Sequence, residues 1–533
     1  MSTVGVRLNR FRTRTVSNYW KHLELDRTGP ADATVGLISL PFPKEGPAEL
    51  GLDFPGAGHQ PVGWWNRPEA PRRVLAMIAD SGSLPETLGL RSGRAAEEGD
   101  WPHWTARTRI THERLNYVAH SFDEIASLRG VSVDDCTLVE GELLLSYGGQ
   151  ALSLQCGATG PEGGPHWWQN LQIDPLWANP TARALRVGGL IYNGDTYLWA
   201  DLFLMLFRNG VVSVAAHFVN RRLHIKPYDF QGLPVLKFEG EGIDPVQESL
   251  PEAGDRFAAG EVEFNLSDAV ILCSEEYPGR LEPAGEAQLW WPVSRTFNPQ
   301  KEDAPPEEWP VGFSRTFRFQ LGLSDATPAV ARYRAPGWWY ALCGEPWPGG
   351  YLPVRGRLDF VGEQVTEALC ERMRRGRFDA GSAGFINDGD AGTGAMLNYY
   401  HTGRPEFFRD ALNYCYYWAD LAVDHSDFTV HQWVGGWGWK TCAYNKFRDV
   451  FYGYLETADP VLLDTATMVA ESYWAWFRSN WPRCAIGRDN FELGGWALLW
   501  RFLDTEHARE RTRELIRMNR VLLDSRGSVG GQM

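Results

Sequence analysis

Tyr399-Tyr400-His401-Thr402-Gly403-Arg404-Pro405 and Tyr454-Leu455-Glu456-Thr457-Ala458-Asp459-Pro460 are two copies of one short pattern, and a weaker third follows at Phe502-Leu503-Asp504-Thr505-Glu506-His507. The threonines fall 55 and 48 residues apart. In the first two copies a proline stands where a helix would begin, in the turn that tolerates its missing N–H. Each copy joins two stretches of helical character. Those ahead of it, 391–401, 441–456 and 492–503, are mostly apolar, aromatic or glycine, the composition of helices enclosed by protein. Those behind it, 405–423, 459–478 and 506–523, are amphipathic. Phe408, Ala411, Leu412, Cys415, Trp418 and Ala422 recur at three-to-four spacing, and Ala508, Leu515, Ile516, Asn519 and Leu522 face one way among many Arg and Glu. An inner helix, a tight turn and an outer helix, repeated, predict an α/α toroid or solenoid. Six hairpins of ~50 residues would need about 300 residues on this repeat logic, more than 357–533 offers, so the array is expected to be open or the chain cut short.

This grammar fixes a geometry. The short turns gather at one end, so the long segments 377–390, 424–440 and 479–491 converge on the other, where function usually sits. They carry Asn387-Asp388-Gly389-Asp390, then His425, His431, Trp433, Trp437, Trp439 and Lys440, then Arg488, Asp489 and Asn490.

The first two-thirds of the chain reads as β. Strands are predicted at 34–40, 74–78, 143–147, 151–155, 185–192, 197–207, 211–220, 261–266, 269–273 and 313–321, several separated by Asn-Gly turns, the pattern of an antiparallel sandwich or barrel. Residues 81–112, rich in Gly, Pro, Arg and Trp, read as a long loop. The helical stretch 357–374 opens the last region. The expected fold is multidomain α+β: a β-rich, barrel-like domain at 1–115, an antiparallel β-sandwich at 116–335 and a partial α/α toroid at 336–533.

Composition narrows the function. The 533 residues carry 52 Lys and Arg against 67 Asp and Glu, a formal charge of −15, which argues against broad binding to nucleic acid or anionic membrane. No apolar run is long enough to span a bilayer. The basic start, Met1 to Leu25, lacks the apolar core of a secretory signal. The eight cysteines include no C-x-x-C pair and read as buried free thiols, so a reducing cytoplasm is expected. Nucleotide-binding and serine-hydrolase motifs are absent. The 24 tryptophans suit sugar rings as well as cores; the doublets at 64–65, 167–168, 290–291 and 338–339 are assigned to domain packing within β regions.

A β-rich front followed by aromatic α-hairpins resembles a polysaccharide lyase, and more narrowly the exo-acting rhamnogalacturonan lyase (YetA-like) family. The residues that carry the resemblance are Leu40-Pro41-Phe42-Pro43-Lys44-Glu45-Gly46, Gly312-Phe313-Ser314-Arg315-Thr316-Phe317-Arg318-Phe319, Asn387-Asp388-Gly389-Asp390 and the Tyr-Tyr-His-Thr-Gly connector. The family implies a small N-terminal barrel, a central β-sandwich and a C-terminal α/α toroid. The insertion near 81–112 and the short toroid depart from it.

Such lyases cleave beside a uronate. A base takes the proton alpha to the carboxyl group, positive or amide groups hold the developing enediolate, and an acid protonates the leaving oxygen. The rim supplies those types. His431 or Lys440 is the expected base, Tyr444 the acid, and Asn445 with Arg448 or Arg488 the carboxylate neutralisers. Lys440, Tyr444 and Arg448, four apart, would share a helical face. The competing reading pairs Arg448 with Asp449 or Glu456 and makes Tyr444 core. Trp437 and Trp439 are expected to stack on sugar, with Asp388, Asp390, Arg488, Asn490 and Glu492 completing the substrate site. Asp388 and Asp390 also suit helix capping or a Ca²⁺ site; no other cofactor or metal is expected, and the spacing of His425 and His431 matches no ligand motif. His401, at the short-turn end, is assigned a structural role. Two alternatives stand beside the lyase acting on an acidic oligosaccharide. One is a glycoside hydrolase with Asp388 or Asp390 opposite Glu492, ~6.5–9.5 Å apart if inverting. The other is a non-catalytic carbohydrate binder.

Overall fold

Apolar residues that alternate or run together through the first 335 residues form two large sheets, and a helical region follows. The computed structural model describes residues 23–42, 50–64, 71–92, 104–115, 137–159, 165–192, 197–220, 230–231, 234–240, 261–266, 269–274, 282–283, 288–290, 308–309, 312, 314–323, 326, 329–343, 391–433, 436–441, 447–480 and 492–526.

The first sheet contains β1 (Glu24–Thr28), β2 (Val35–Pro41), β3 (Leu50–Leu52), β4 (Gly58–Trp64), β5 (Pro71–Ala79) and β6 (Thr87–Ser92). Its seventh strand is Val330–Arg334, antiparallel to β1 on one side and parallel to β2 on the other. Every residue of β2 is buried. Among the described residues this sheet is open, with β3 and β4 at its edges, rather than the expected barrel.

The second sheet contains β7 (Thr105–Leu115), β8 (Thr137–Tyr147), β9 (Gln150–Thr159), β10 (Pro165–Ala178), β11 (Ala182–Tyr192), β12 (Tyr197–Phe207) and β13 (Val211–Val219), with later strands that include Pro234–Gly240, Glu261–Leu266, Ala269–Ser274 and Ser314–Leu323. Among the described residues its thirteen strands form one continuous hydrogen-bonded ladder. Register shifts at Ile110/His112, Gln169/Gln172 and Pro175/Trp177 bend long strands that would otherwise end. In β12, ten of the eleven residues are buried, the continuous burial of a strand covered on both faces.

Two strands cross the divisions drawn from the sequence. β7 joins the second sheet through β8, and Val330–Arg334 joins the first. The presumed loop 81–112 contains β6 and most of β7. The alternating polar stretch Thr105-Ala106-Arg107-Thr108-Arg109 is a strand whose Arg109 bonds Glu142 directly across the ladder. Trp338-Trp339 lies in a short helix, α1 (Gly337–Cys343), not in a β region. Its packing role holds for Trp339, which is fully buried and donates to the Pro41 carbonyl at 2.8 Å.

Three helical hairpins follow: α2 (Ala391–Thr402) with α3 (Pro405–Tyr417), α4 (Phe447–Thr457) with α5 (Pro460–Asn480), and α6 (Glu492–Leu503) with α7 (Glu506–Arg526). The repeat has a physical origin. Gly403, Ala458 and Asp504 all adopt left-handed backbone, at φ 76°, 58° and 48°, and each N–H bonds the carbonyl four residues back, on Tyr399, Tyr454 and Trp500, at 2.7–3.0 Å. This is the left-handed helix cap. It makes the third copy 46 residues from the second, two fewer than the aligned threonines indicate. Thr505 is therefore not the equivalent of Thr457; its hydroxyl accepts from the Ala508 N–H and caps α7.

The inner helices are enclosed as expected, with Phe451, Leu455, Trp496 and Phe502 buried, whereas Ile516, assigned to the buried face of α7, is 48% exposed. Residues 441–456 are not one helix: Gly436–Thr441 is a strand and α4 begins at Phe447. The outer helix 405–423 is α only to Tyr417 and then widens into a π turn, Trp418–Ala422. The stretch 357–374 lies outside the described residues. Among the described residues, Cys156, Cys343 and Cys415 are buried thiols outside any disulfide. No helix among the described residues is long and apolar enough to cross a membrane.

Candidate functional site

The π turn feeds a small antiparallel sheet where a long loop was expected: Val423–Asp424, Thr429–Trp433 and Gly436–Thr441. Val423 and Val430 pair across it and are both fully buried, which fixes one face inward. Its first turn is tied down on two sides. Phe428, at φ 56°, bonds its N–H to the Asp424 carbonyl at 2.6 Å, and the Asp424 carboxylate accepts from the Ser426 N–H. The His425 N–H donates to the Gly312 carbonyl, and the Gly312 N–H to the Asn220 carbonyl. Gly312 has φ 87°, and a Cβ there would stand 2.0 Å from Asp424 Oδ1, so only glycine fits.

Beneath this turn lies a buried polar node. Asp420, on the π turn, accepts from the Thr316 N–H at 2.7 Å, the Thr316 hydroxyl at 3.0 Å and the Ser314 hydroxyl at 2.8 Å. His425 Nε2 lies 2.8 Å from the Ala419 carbonyl and 3.0 Å from Ser314 Oγ. A carbonyl only accepts, so this nitrogen carries the hydrogen. His217 Nδ1 is 2.8 Å from Thr316 Oγ1. Because that hydroxyl spends its hydrogen on Asp420, His217 Nδ1 is the donor. All six residues, counting Asp424, are buried, and Asp420 completely so. The node touches no open surface. It fixes the root of the small sheet against the second sheet, and its members are positioning residues. Among the described residues no group of three His, Cys, Asp or Glu is arranged to hold a metal.

The outer hairpin of the small sheet carries the predicted bases. His431 and Lys440 are register partners, directly opposite each other on its two strands. The next pair is Trp433↔Gly436, so the single residue Gln432 faces three, Trp437, Gly438 and Trp439. Both tryptophans therefore occupy a bulge, the feature with which sheets re-aim side chains beside functional sites.

Other expectations change. Lys440, Tyr444 and Arg448 cannot share a helical face, because Lys440 belongs to a strand and Arg448 to the first turn of α4; Tyr444 and Asn445 between them lie outside the described residues, as do Asp388, Asp390, Arg488 and Asn490. Glu492 is the first residue of α6 and His401 lies in the last turn of α2. Asp449 and Glu456 each carry contacts of their own. Asp449 accepts from the Thr393 N–H at 3.0 Å and from its hydroxyl, and Glu456 bonds Arg73 and Tyr400. Of the twelve predicted site residues, the structure brings His431, Lys440, Trp437 and Trp439 onto one hairpin.

A second buried polar layer joins the helical hairpins to the sheets. Arg73 donates to Glu456, Tyr400 and Ser39, and Ser39 donates to the Leu455 carbonyl. Tyr340 stacks on Tyr400 with centroids 4.2 Å apart. Burial pushes the Tyr400 and Tyr340 hydroxyls well above the usual phenol range. Tyr416 donates to Asp459 Oδ2 at 2.6 Å, while Asp459 Oδ1 caps α5 through the Val461 N–H; burial raises the Asp459 carboxyl. Burial also pulls Arg318, stacked on Tyr416, down to about 10.

No family model matches the chain, and no curated protein matches it. Solved structures superpose on part of it, two of them from the same bacterium. One is an alpha-mannosidase from Enterococcus faecalis V583, and the other a protein in glycosyl hydrolase family 38 from Enterococcus faecalis. Each is 10% identical with a TM-score of 0.28 and covers 56% of this chain. The match spans 42% of the first protein and 44% of the second, less than half of either. At this level of superposition no chemistry transfers to the present chain.

Proposed function

We propose that this chain acts on an acidic, uronate-containing oligosaccharide of the pectin or rhamnogalacturonan kind and cleaves it by β-elimination. The observation that carries the reading is the register of His431 against Lys440. A histidine and a lysine stand opposite each other on a two-stranded ribbon, and a buried polar node anchors that ribbon at its root. One removes the proton alpha to the uronate carboxyl group, and the other holds the carboxylate as negative charge moves onto it. Tyr444 is assigned as the acid to the leaving oxygen, with Asn445 and Arg448 or Arg488 as further carboxylate partners. Trp437 and Trp439, in the bulge beside them, supply ring surfaces for the sugar.

The test is digestion of a panel of acidic polysaccharides and their oligomers, followed by ultraviolet absorbance and by reducing-end assay. Elimination creates an unsaturated sugar end that absorbs. New reducing ends without absorbance would mean hydrolysis, and binding without either product would mean a carbohydrate binder. Each of those two results overturns the reading.

A further inference from the structure

His217 lies between two buried carboxylates. Across the second sheet Asp201 of β12 pairs in register with His217 of β13, and His217 pairs with Thr316 of the strand Ser314–Leu323. Register partners put their side chains on one face, with Cβ atoms about 4.5–5.5 Å apart. Asp420 reaches the same face from the π turn, and its Oδ1 is 3.6 Å from His217 Nδ1. His217 is 2% exposed, Asp201 6% and Asp420 0%.

The other charged groups on this face are engaged beside the histidine. Arg186 of β11 gives Nη2 to Asp201 Oδ2 at 3.2 Å and Nη1 to Asp464 of α5 at 2.7 Å, so two carboxylates share it. Arg318, two residues beyond Thr316, stands over the Tyr416 ring, 4.4 Å from its centroid. The turn of the small sheet contributes Asp424, whose carboxylate accepts from the Ser426 N–H, and His425, whose ring meets that of His217 edge-on with centroids 5.7 Å apart. Burial alone opposes a second proton on an imidazole. A carboxylate on each side favours it, because each anion stabilises the charged ring.

We propose that His217 is an imidazolium at neutral pH and serves as a pH-sensitive clasp, bridging Asp201 of the second sheet and Asp420 of the π turn. The π turn runs directly into Val423–Asp424, so the clasp holds the small sheet and, with it, the strands of His431 and Lys440. Loss of the proton leaves two buried anions beside a neutral ring and loosens the root of that sheet. A proton held above about pH 6.5, the ordinary value for histidine, gives stability that is complete below that pH and is lost as pH rises through the folded-state value. The clasp therefore opens toward alkali. It does not depend on the chemistry proposed for the hairpin.

The experiment combines nitrogen NMR of the full chain labelled at histidine with amide hydrogen exchange of Val423–Trp433, corrected for intrinsic rates, from about pH 6.5 to about pH 8.5. The ring signal missing from His217→Gln identifies His217. At pH 7 both of its ring nitrogens are expected to carry a proton. Protection of Val423–Trp433 is expected to fall roughly tenfold across the range in the wild type, while Leu202–Leu206 of β12 keeps its own. In His217→Gln, which keeps a donor without the charge, protection is expected to be low and flat. Asp201→Asn is expected to weaken proton binding at His217 about tenfold and to move the loss of protection to lower pH; it also identifies the His217 signal if His217→Gln does not fold. A neutral His217 ring at pH 7, wild-type protection that does not change with pH, the same pH-dependent loss in His217→Gln, or no shift in Asp201→Asn each overturns the proposal.

Discussion

Arg73 of β5 and Glu456 of α4 lie 383 residues apart in the chain and form an ion pair whose side chains are 0% and 3% exposed. It links the first sheet to the second helical hairpin, with Tyr400 of the first hairpin bonded to both members. A buried pair of this kind stabilises little relative to apolar packing, but either member alone is a stranded charge.

Removing one member is therefore the severe change. Glu456→Ala should cost about 3–5 kcal/mol, and the double replacement Arg73→Met with Glu456→Leu distinctly less. Urea unfolding midpoints measure both. A double variant as unstable as the single one would show that the pair itself supplies the stability.

The hairpin connectors predict a gain. Ala458 and Asp504 occupy left-handed backbone that costs a non-glycine residue ~1–2 kcal/mol. Ala458→Gly and Asp504→Gly should each raise the melting temperature. Gly403→Ala should lower it, since its Cβ would also meet Arg334 Nε at 2.5 Å.

Alkali should unfold the chain in a defined window. Burial lifts the hydroxyls of Tyr333, Tyr399 and Tyr454 to about 12, from an ordinary value of 10.0. A folded value above the unfolded one means that the folded state holds its protons longer. The stability these groups contribute is complete below pH 10 and is lost as pH rises from 10 toward 12. Phenolate absorbance should therefore rise together with loss of ellipticity in that range. Ionisation of all three without unfolding would contradict it.

The hairpin pair predicts a kinetic signature. His431→Gln and Lys440→Met should each lower kcat for β-elimination by ~10²–10⁴, the usual weight of general acid–base catalysis. A change confined to KM would assign both residues to binding alone.

The helical hairpins were legible because their signals are local. Pro405 and Pro460 mark helix starts, and apolar spacing marks the buried faces. Strand 197–207 was legible from its apolar run between turns, and it is observed over the same residues. Gly436-Trp437-Gly438-Trp439 alternates with a period of two, a strand signal, whereas the four-residue spacing of Lys440, Tyr444 and Arg448 points to a helix; the strand is what forms. The node around Asp420 had no local signal at all: its bonds to Thr316 and Ser314 span 104 and 106 residues. Ser314 and Thr316 stood in a quoted motif, but nothing in their spacing points to an aspartate on a later π turn. Gln169 was hidden for a similar reason. A glutamine followed by an asparagine reads as a surface position, yet Gln169 is fully buried.

The central place of Val330–Arg334 in the first sheet has a consequence for biosynthesis. β1 and β2 emerge early, yet the strand that separates them is made some 290 residues later. At ~5–20 residues per second the ribosome leaves both edges open for on the order of tens of seconds. Unpaired edges of that kind recruit one another, and those of β1 and β2 close together only when the missing strand arrives.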